Sequence, residues 1–417
     1  MNRLISIAYI SIISILLLIL PFLGNTQNTV SPYSIFGPGE IRSGGFGPNL
    51  GMGGTGLALE SGNNLNSLNP ASYAGMDSLK LIFEFGLQGK GYNISNSNQS
   101  LSGFEANLAY FALGFKYTRW MAGSFGMMPF STVGYSINRS NYIEGTNEQY
   151  TSNYVGTGGI TRFYFANAIK LLKKLSLGIN TSYLFGPLIQ EEYITGSTLV
   201  PEMMIERKDF LRSFYFDFGL QYQFNTAHTN YSLGLTYAPE QSLSSKHLVT
   251  AYDSDYSIIQ GQQYNTEYLV IPQIFGAGIG LTRDRLKLAF DYTFQQWSNV
   301  EYPIQAEEFS DSHRFSLGIE TNPWERRAIN PGFKNWTYRM GYSHESSYLK
   351  FGNTTLGSNE FTMGAGIPLY GAISNMDISI SHGSYGASTG HLTKEKFLRF
   401  NIGFSLNEKA FLKRVID

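Results

Sequence analysis

The residues of this 417-residue chain that could do chemistry are charged side chains set among alternating apolar ones: Lys80, Glu84, Lys116, Asp217, Lys287, Asp291, Arg314, Glu320, Arg339, Asp377 and Arg399. In an extended chain, successive side chains point to opposite faces, so these charges share one face and the apolar residues take the other. Charges of both signs on an inner face can neutralise one another, which matters because a lone charge away from water is costly. A wide, ion-selective pore would instead favour a ring of one sign. Catalytic patterns are poor. The six histidines, His228, His247, His313, His344, His382 and His391, form no HExxH motif and no closely spaced ligand pair. Ser343, His344 and Glu345 stand in a row, but neighbours on a strand face opposite ways and make a poor triad. No catalytic residue, metal site or cofactor is therefore expected, and there is no GxxxxGK[ST] run to hold ATP.

The elements that position these charges read as strands. Leu398, Phe400, Ile402, Phe404 and Leu406 interleave with Arg399, Asn401, Gly403 and Ser405, and Leu286, Leu288, Phe290, Tyr292 and Phe294 interleave with Lys287, Ala289, Asp291 and Thr293. The pattern predicts strands at 79–92, 104–117, 119–137, 159–170, 174–191, 210–224, 229–240, 267–282, 285–297, 312–321, 335–346, 358–367, 374–384 and 396–407. Each is long enough to cross a membrane when tilted. Strand number and length favour an all-β, transmembrane antiparallel β-barrel of about 14 strands over a soluble sandwich, whose strands are usually shorter and whose outer face is polar. Long polar connections at 138–158, 192–209, 241–266 and 298–311 alternate with short turns, except that 322–334, a turn by parity, is longer. That asymmetry predicts extracellular loops at one end, and periplasmic turns and both termini at the other.

Before the first strand the pattern differs. Met1-Asn2-Arg3 followed by the apolar run Leu4 to Phe22 has the layout of an export signal. Residues 27–78 are rich in glycine, asparagine and proline, and include Gly53, Gly54, Gly56 and Asn69-Pro70-Ala71. Such a segment is irregular, with one short helix expected near 55–60. Its Leu50, Met52, Leu57, Leu59, Leu65 and Leu68 need burial, which the inside of a barrel supplies. The expected organisation is a signal peptide at 1–26, an N-terminal hatch (plug) at 27–78, the barrel at 79–407 and a periplasmic tail at 408–417. Thirty Lys and Arg against 31 Asp and Glu leave no field for nucleic acid. With no cysteine, thiolate metal sites and disulfides are excluded.

One strand is unusual: the segment Ala122-Gly123-Ser124-Phe125-Gly126-Met127-Met128-Pro129 places two glycines before a proline in mid-strand. Proline gives no donor to a ladder and marks an edge or bulge. Gly126 and Pro129 therefore mark either a break in the wall or a bend at the membrane rim.

The run Gly51-Met52-Gly53-Gly54-Thr55-Gly56-Leu57-Ala58, then Asn69-Pro70-Ala71, then some fourteen strands, resembles the FadL-like family of outer-membrane long-chain fatty-acid transporters. The resemblance implies a hatch inside the barrel and passive uptake of small hydrophobic molecules, with lateral release at a kink in strand three, for which Gly126 and Pro129 are the candidates. Membrane lipids and a hydrophobic small molecule would be the partners. Leu57, Leu59 and Ile82 are either ligand contacts or packing of hatch against wall. Ser72 departs from the glycine that many members carry after the alanine, and no long hydrophobic helix pair is evident in the loops. The alternative is an outer-membrane protein partner or assembly component, as in PorV-like secretion barrels, or a plugged structural barrel.

Overall fold

A computed structural model describes residues 31–409, apart from 43, 79, 97–98, 196–198, 301–307, 323–332, 370–373 and 389–391. The expected signal peptide and most of the C-terminal tail, from 410 on, lie outside the described residues. The alternation read from the sequence folds into strands β1 (Lys80–Ser95), β2 (Ser100–Lys116), β3 (Met121–Tyr142), β4 (Gln149–Leu172), β5 (Leu175–Thr195) and β6 (Met203–Asn225). Strands β7 and β8 are each interrupted once, β7 running Asn230–Ala238 then Gln241–Asp253, and β8 Ile258–Ile271 then Ile274–Arg283. The wall continues with β9 (Leu286–Gln295), β10 (Ser312–Thr321), β11 (Thr337–Phe351), β12 (Thr354–Pro368), β13 (Asn375–Gly386) and β14 (Lys394–Lys409). Neighbours are antiparallel, and β14 pairs with β1 from Lys394↔Ser95 to Lys409↔Lys80, closing a 14-strand barrel.

The two faces follow the sequence pattern. Phe214, Phe216, Phe218, Leu398 and Phe400 are exposed on the outside, while Ser405, Asn401 and Asp291 are buried within. Exposed apolar side chains and buried polar ones reverse the order of a soluble protein and match a wall set in lipid. Among the described residues no helix is long and apolar enough to cross a membrane.

The long polar connections are shorter than expected. Asn138 to Tyr142 pair with Asn153 to Gln149, so the 138–158 region is mostly a continuation of β3 and β4. The second half of β7 and the first half of β8 likewise fill 241–266. Asn, Ser, Thr and Tyr lie on both faces of these extensions, so the apolar alternation that reveals a lipid-facing strand fades although the ladder goes on. At the other end the connections after β4, β6 and β8 are turns of a few residues.

Residues 31–78 sit against the inward faces of strands around the ring. A methyl added at Gly178 of β5 would stand 2.3 Å from Pro70, at Gly234 of β7 2.0 Å from the Leu57 carbonyl oxygen, and at Gly341 of β11 2.2 Å from the Gly53 nitrogen. Contacts to such separated strands place the segment inside the barrel. The helix expected near 55–60 lies instead at Gly47–Leu50. Beyond its end, Gly53 and Gly54 adopt φ of +69° and +78°, left-handed values that turn the chain.

Candidate functional site

Asn69, Pro70 and Ala71 form a joint between the N-terminal segment and the wall. The Asn69 carboxamide oxygen accepts from the Ala71 N–H (3.0 Å), capping the helical turn Pro70–Gly75. Its amide donates to the Leu57 carbonyl (2.7 Å) and to that of Leu220 on β6 (3.2 Å). Proline suits the start of the turn, where its missing N–H removes nothing. Gly56 is excluded from bearing a side chain because a methyl would lie 2.2 Å from the Asn49 amide nitrogen.

The inward charges are compensated. Arg339 bridges Glu320 (2.6 Å) and Asp377 (2.5 Å), and Lys287 also reaches Glu320 (2.7 Å). Arg399 meets Glu360 at 2.7 Å, Arg314 meets Glu345 at 3.6 Å, and Asp217 is paired with Arg162. Other wall charges hold the N-terminal segment by its backbone. Asp291 accepts from Gly56 N–H (2.6 Å) and Leu57 N–H (2.9 Å), Glu84 accepts from Leu65 N–H (3.0 Å), and Lys116 donates to the Met76 carbonyl (2.8 Å). Lys80 pairs with Asp77 at 2.5 Å. The sequence did not reveal Arg162, Glu360, Lys90, Glu395 and Glu105 as inward charges, and offered Glu345 only beside Ser343 and His344. Strand parity was the available signal, since Glu360 alternates with Phe361, and Lys90 has the parity of Glu84.

The wall is split at Pro129. β2 and β3 pair only from Phe111↔Met127 to Lys116↔Ala122, leaving the rest of β3, to Tyr142, without β2 as neighbour. Pro129 itself lies at a register shift against β4, between Pro129 and Ser131. Gly126 marks the last close approach, because a methyl there would lie 2.4 Å from the Phe111 carbonyl oxygen. The N-terminal segment lines the β3 edge that β2 leaves free: Glu40 pairs with Thr132 and Ile41 with Ser131, the Arg42 N–H bonds Phe130 O (3.0 Å), and the Ser31 N–H bonds Gly134 O (2.8 Å). On its other side Arg42 donates to Gln88 of β1 (2.7 Å) and lies 3.9 Å from Glu105 of β2. Glu40 stands 4.0 Å from Lys90. Burial would raise the Glu40 carboxyl, but Lys90, Arg42 and Arg399 outweigh it and hold it below its ordinary value. Residues 31–42 thus strap the split from inside.

The lumen behind the strap is apolar. Val133, Tyr135, Ile160, Leu184, Leu211 and Trp297 belong to one buried cluster, against which Ile35, Ile41 and Phe130 pack. Of the residues read as ligand contacts, Leu57 is buried against the glycines of β7 and β8, and Leu59 borders a small polar cavity of about 180 Å³ beside Lys287 and Arg339. Ile82 lies in a second cluster with Leu65, Tyr73 and Tyr110. None of the three lies in the cluster behind the split. Among the described residues no group of three or more His, Cys, Asp or Glu is placed to hold a metal ion.

The closed 14-strand barrel shares its fold with outer-membrane hydrocarbon channels. It superposes on the Pseudomonas putida toluene transporter TodX (TM-score 0.60, 16% identity, covering 89% of this chain and 99% of that one). The *Ralstonia pickettii* toluene transporter TbuX (0.58, 16%, 88% and 99%) and the CymD monoaromatic hydrocarbon channel (0.58, 17%, 89% and 98%) are similar to it in the same way. At such identities the likeness is one of fold, and it agrees with the fold that the FadL-like resemblance implies. The chain belongs to the BamG family, whose model matches residues 7–417. No curated protein matches it.

Proposed function

We propose that this protein is an outer-membrane channel for passive uptake of small hydrophobic molecules, which leave sideways into the membrane through the β2–β3 split. The observation that carries the reading is the end of the β2–β3 ladder at Met127, directly beside a buried apolar cluster. A greasy molecule gains about 0.8 kcal/mol per methylene on leaving water, so an apolar lumen opening onto lipid needs no energy source. Residues 27–78 act as the hatch, both termini are periplasmic, and Gly126 and Pro129 set the position of the opening. Leu57, Leu59 and Ile82 then serve to seat the hatch. The expected substrates are fatty-acid-like or aromatic hydrocarbons, the latter being what the toluene transporters of like fold carry by name.

Cysteines at Ile41 and Ser131, which face each other across the strap and β3, provide the test in a chain that has none of its own. Vesicles carrying Ile41→Cys/Ser131→Cys should pass a fluorescent fatty acid when reduced and lose most of that flux when oxidised. Flux no greater than that of empty vesicles would remove the uptake reading.

A second reading, an assembly component or partner of another envelope protein, is favoured by the seating of the hatch. Wall glycines at 178, 219, 234 and 341 approach its backbone or the Asn69 side chain within 2.0–2.3 Å of where a methyl would stand. A filling so close is suited to permanent closure. This reading predicts stoichiometric co-purification with one envelope protein from native membranes, and no flux.

A further inference from the structure

The wall has a second irregularity, several strands round from the first. β6 pairs with β7 from Met203 to Leu211 and again from Phe218 to Asn225, leaving Arg212–Asp217 without a ladder to β7. At the same level the β7–β8 pairing stops at Ala238↔Ile274 and resumes at Gln241↔Ile271, skipping Pro239, Glu240, Pro272 and Gln273. A proline on each strand, Pro239 beside Ala238 and Pro272 beside Ile271, explains the interruption, since neither can donate to the ladder. The break is closed by a side chain: the Gln241 carboxamide accepts from the Phe216 N–H (2.7 Å) and donates to the Phe216 carbonyl (3.2 Å) and the Pro239 carbonyl (2.9 Å). A carboxamide carries the same donor and acceptor as a peptide group, so Gln241 stands in for the missing strand residue.

Both sides of this seam are apolar. Inside lie the buried Leu211, Tyr215, Ala238, Leu243, Ile271 and Trp297. Outside, Phe210, Phe214 and Phe216 are exposed on the face that meets lipid. Where the seam ends, an apolar groove of about 540 Å³ begins on the wall, bounded by Phe218, Leu235, Tyr237 and Phe275 over the backbone of Gly219 and Gly276. The groove is continuous with the lipid-facing surface, so a hydrocarbon chain from the bilayer is its natural occupant.

We infer that the β6–β8 seam and this groove form a lipid-binding site, taking one acyl chain of a membrane lipid from the bilayer side and bringing it against the cluster that contains Trp297. Binding there goes beyond the uptake reading, since it requires nothing to cross the membrane. Gln241 is the residue that keeps the seam shut.

Trp297 reports on the site once Trp120, Trp324 and Trp336 are changed to phenylalanine. In vesicles of phosphatidylcholine with brominated acyl chains, Trp297 fluorescence should fall at least twofold relative to unbrominated lipid, and Gln241→Ala should deepen the loss. The oxidised Ile41→Cys/Ser131→Cys lock should leave it unchanged while stopping flux. Equal fluorescence in the two lipids, or quenching that Gln241→Ala leaves unaltered, overturns the inference. Loss of flux alone bears only on uptake.

Discussion

At the short-turn end of the lumen the N-terminal segment is held by directed bonds, with Asp291 gripping two of its amides and Arg339 tying β10 and β13 together beside it. Towards the long hairpins the strap is bonded to β3 and β1, but the filling behind it is a cluster of Leu, Ile, Val, Tyr and Trp side chains. Directed bonds specify one arrangement, because a buried polar group that loses its partner is expensive. Apolar packing of about the right volume tolerates rearrangement at much smaller cost. One end is therefore built to stay, and the other to yield.

That contrast can be broken by measuring unfolding free energies of refolded barrels in detergent. Arg339→Ala leaves Glu320 and Asp377 facing each other without their shared cation, and should cost about 3–5 kcal/mol. A loss below 1 kcal/mol would show that the short-turn end is not rigid. Asp291→Asn keeps the shape but removes the charge that accepts from Gly56 and Leu57, for an expected loss of about 1.5–3 kcal/mol. The sharpest comparison changes a single methyl at each end. Gly341→Ala forces one into the Gly53 backbone and should cost about 1–3 kcal/mol, with greater protease access to the N-terminal segment. Ile160→Val removes one from the apolar cluster and should cost only about 0.5–1.5 kcal/mol. Reversal of the last two would place the rigid end at the long hairpins.

Much of this was legible in the alternation. The strand expected at 312–321 is Ser312–Thr321, and the eleven inward charges find partners within the barrel or on its filling. At Pro129 the sequence marked an irregularity, since proline gives no donor to a ladder, but left a break and a bend equally open. What escaped was whatever depended on a distant partner. Nothing local in Glu40-Ile41-Arg42 says that this stretch lies along β3, and nothing local in Gln241 says that it completes β6. The strand expected at 159–170 extends over Gln149–Leu172, because its far half pairs above the lipid, where both faces accept polar residues. Pro272 gave the same local signal as Pro129, but its meaning emerged only with Pro239 on the neighbouring strand.

The glycine seats also bear on the order of events during biogenesis. A segment whose backbone stands within a methyl's width of several wall strands cannot be threaded into a finished cylinder. Glu84 on the first strand accepts from Ser405 on the last (2.8 Å) and from Leu65 of the filling (3.0 Å), so the joint that closes the ring is riveted through its contents. Pairing of the first strand with the last and seating of the N-terminal segment therefore share one carboxylate, so neither joint is complete without the other.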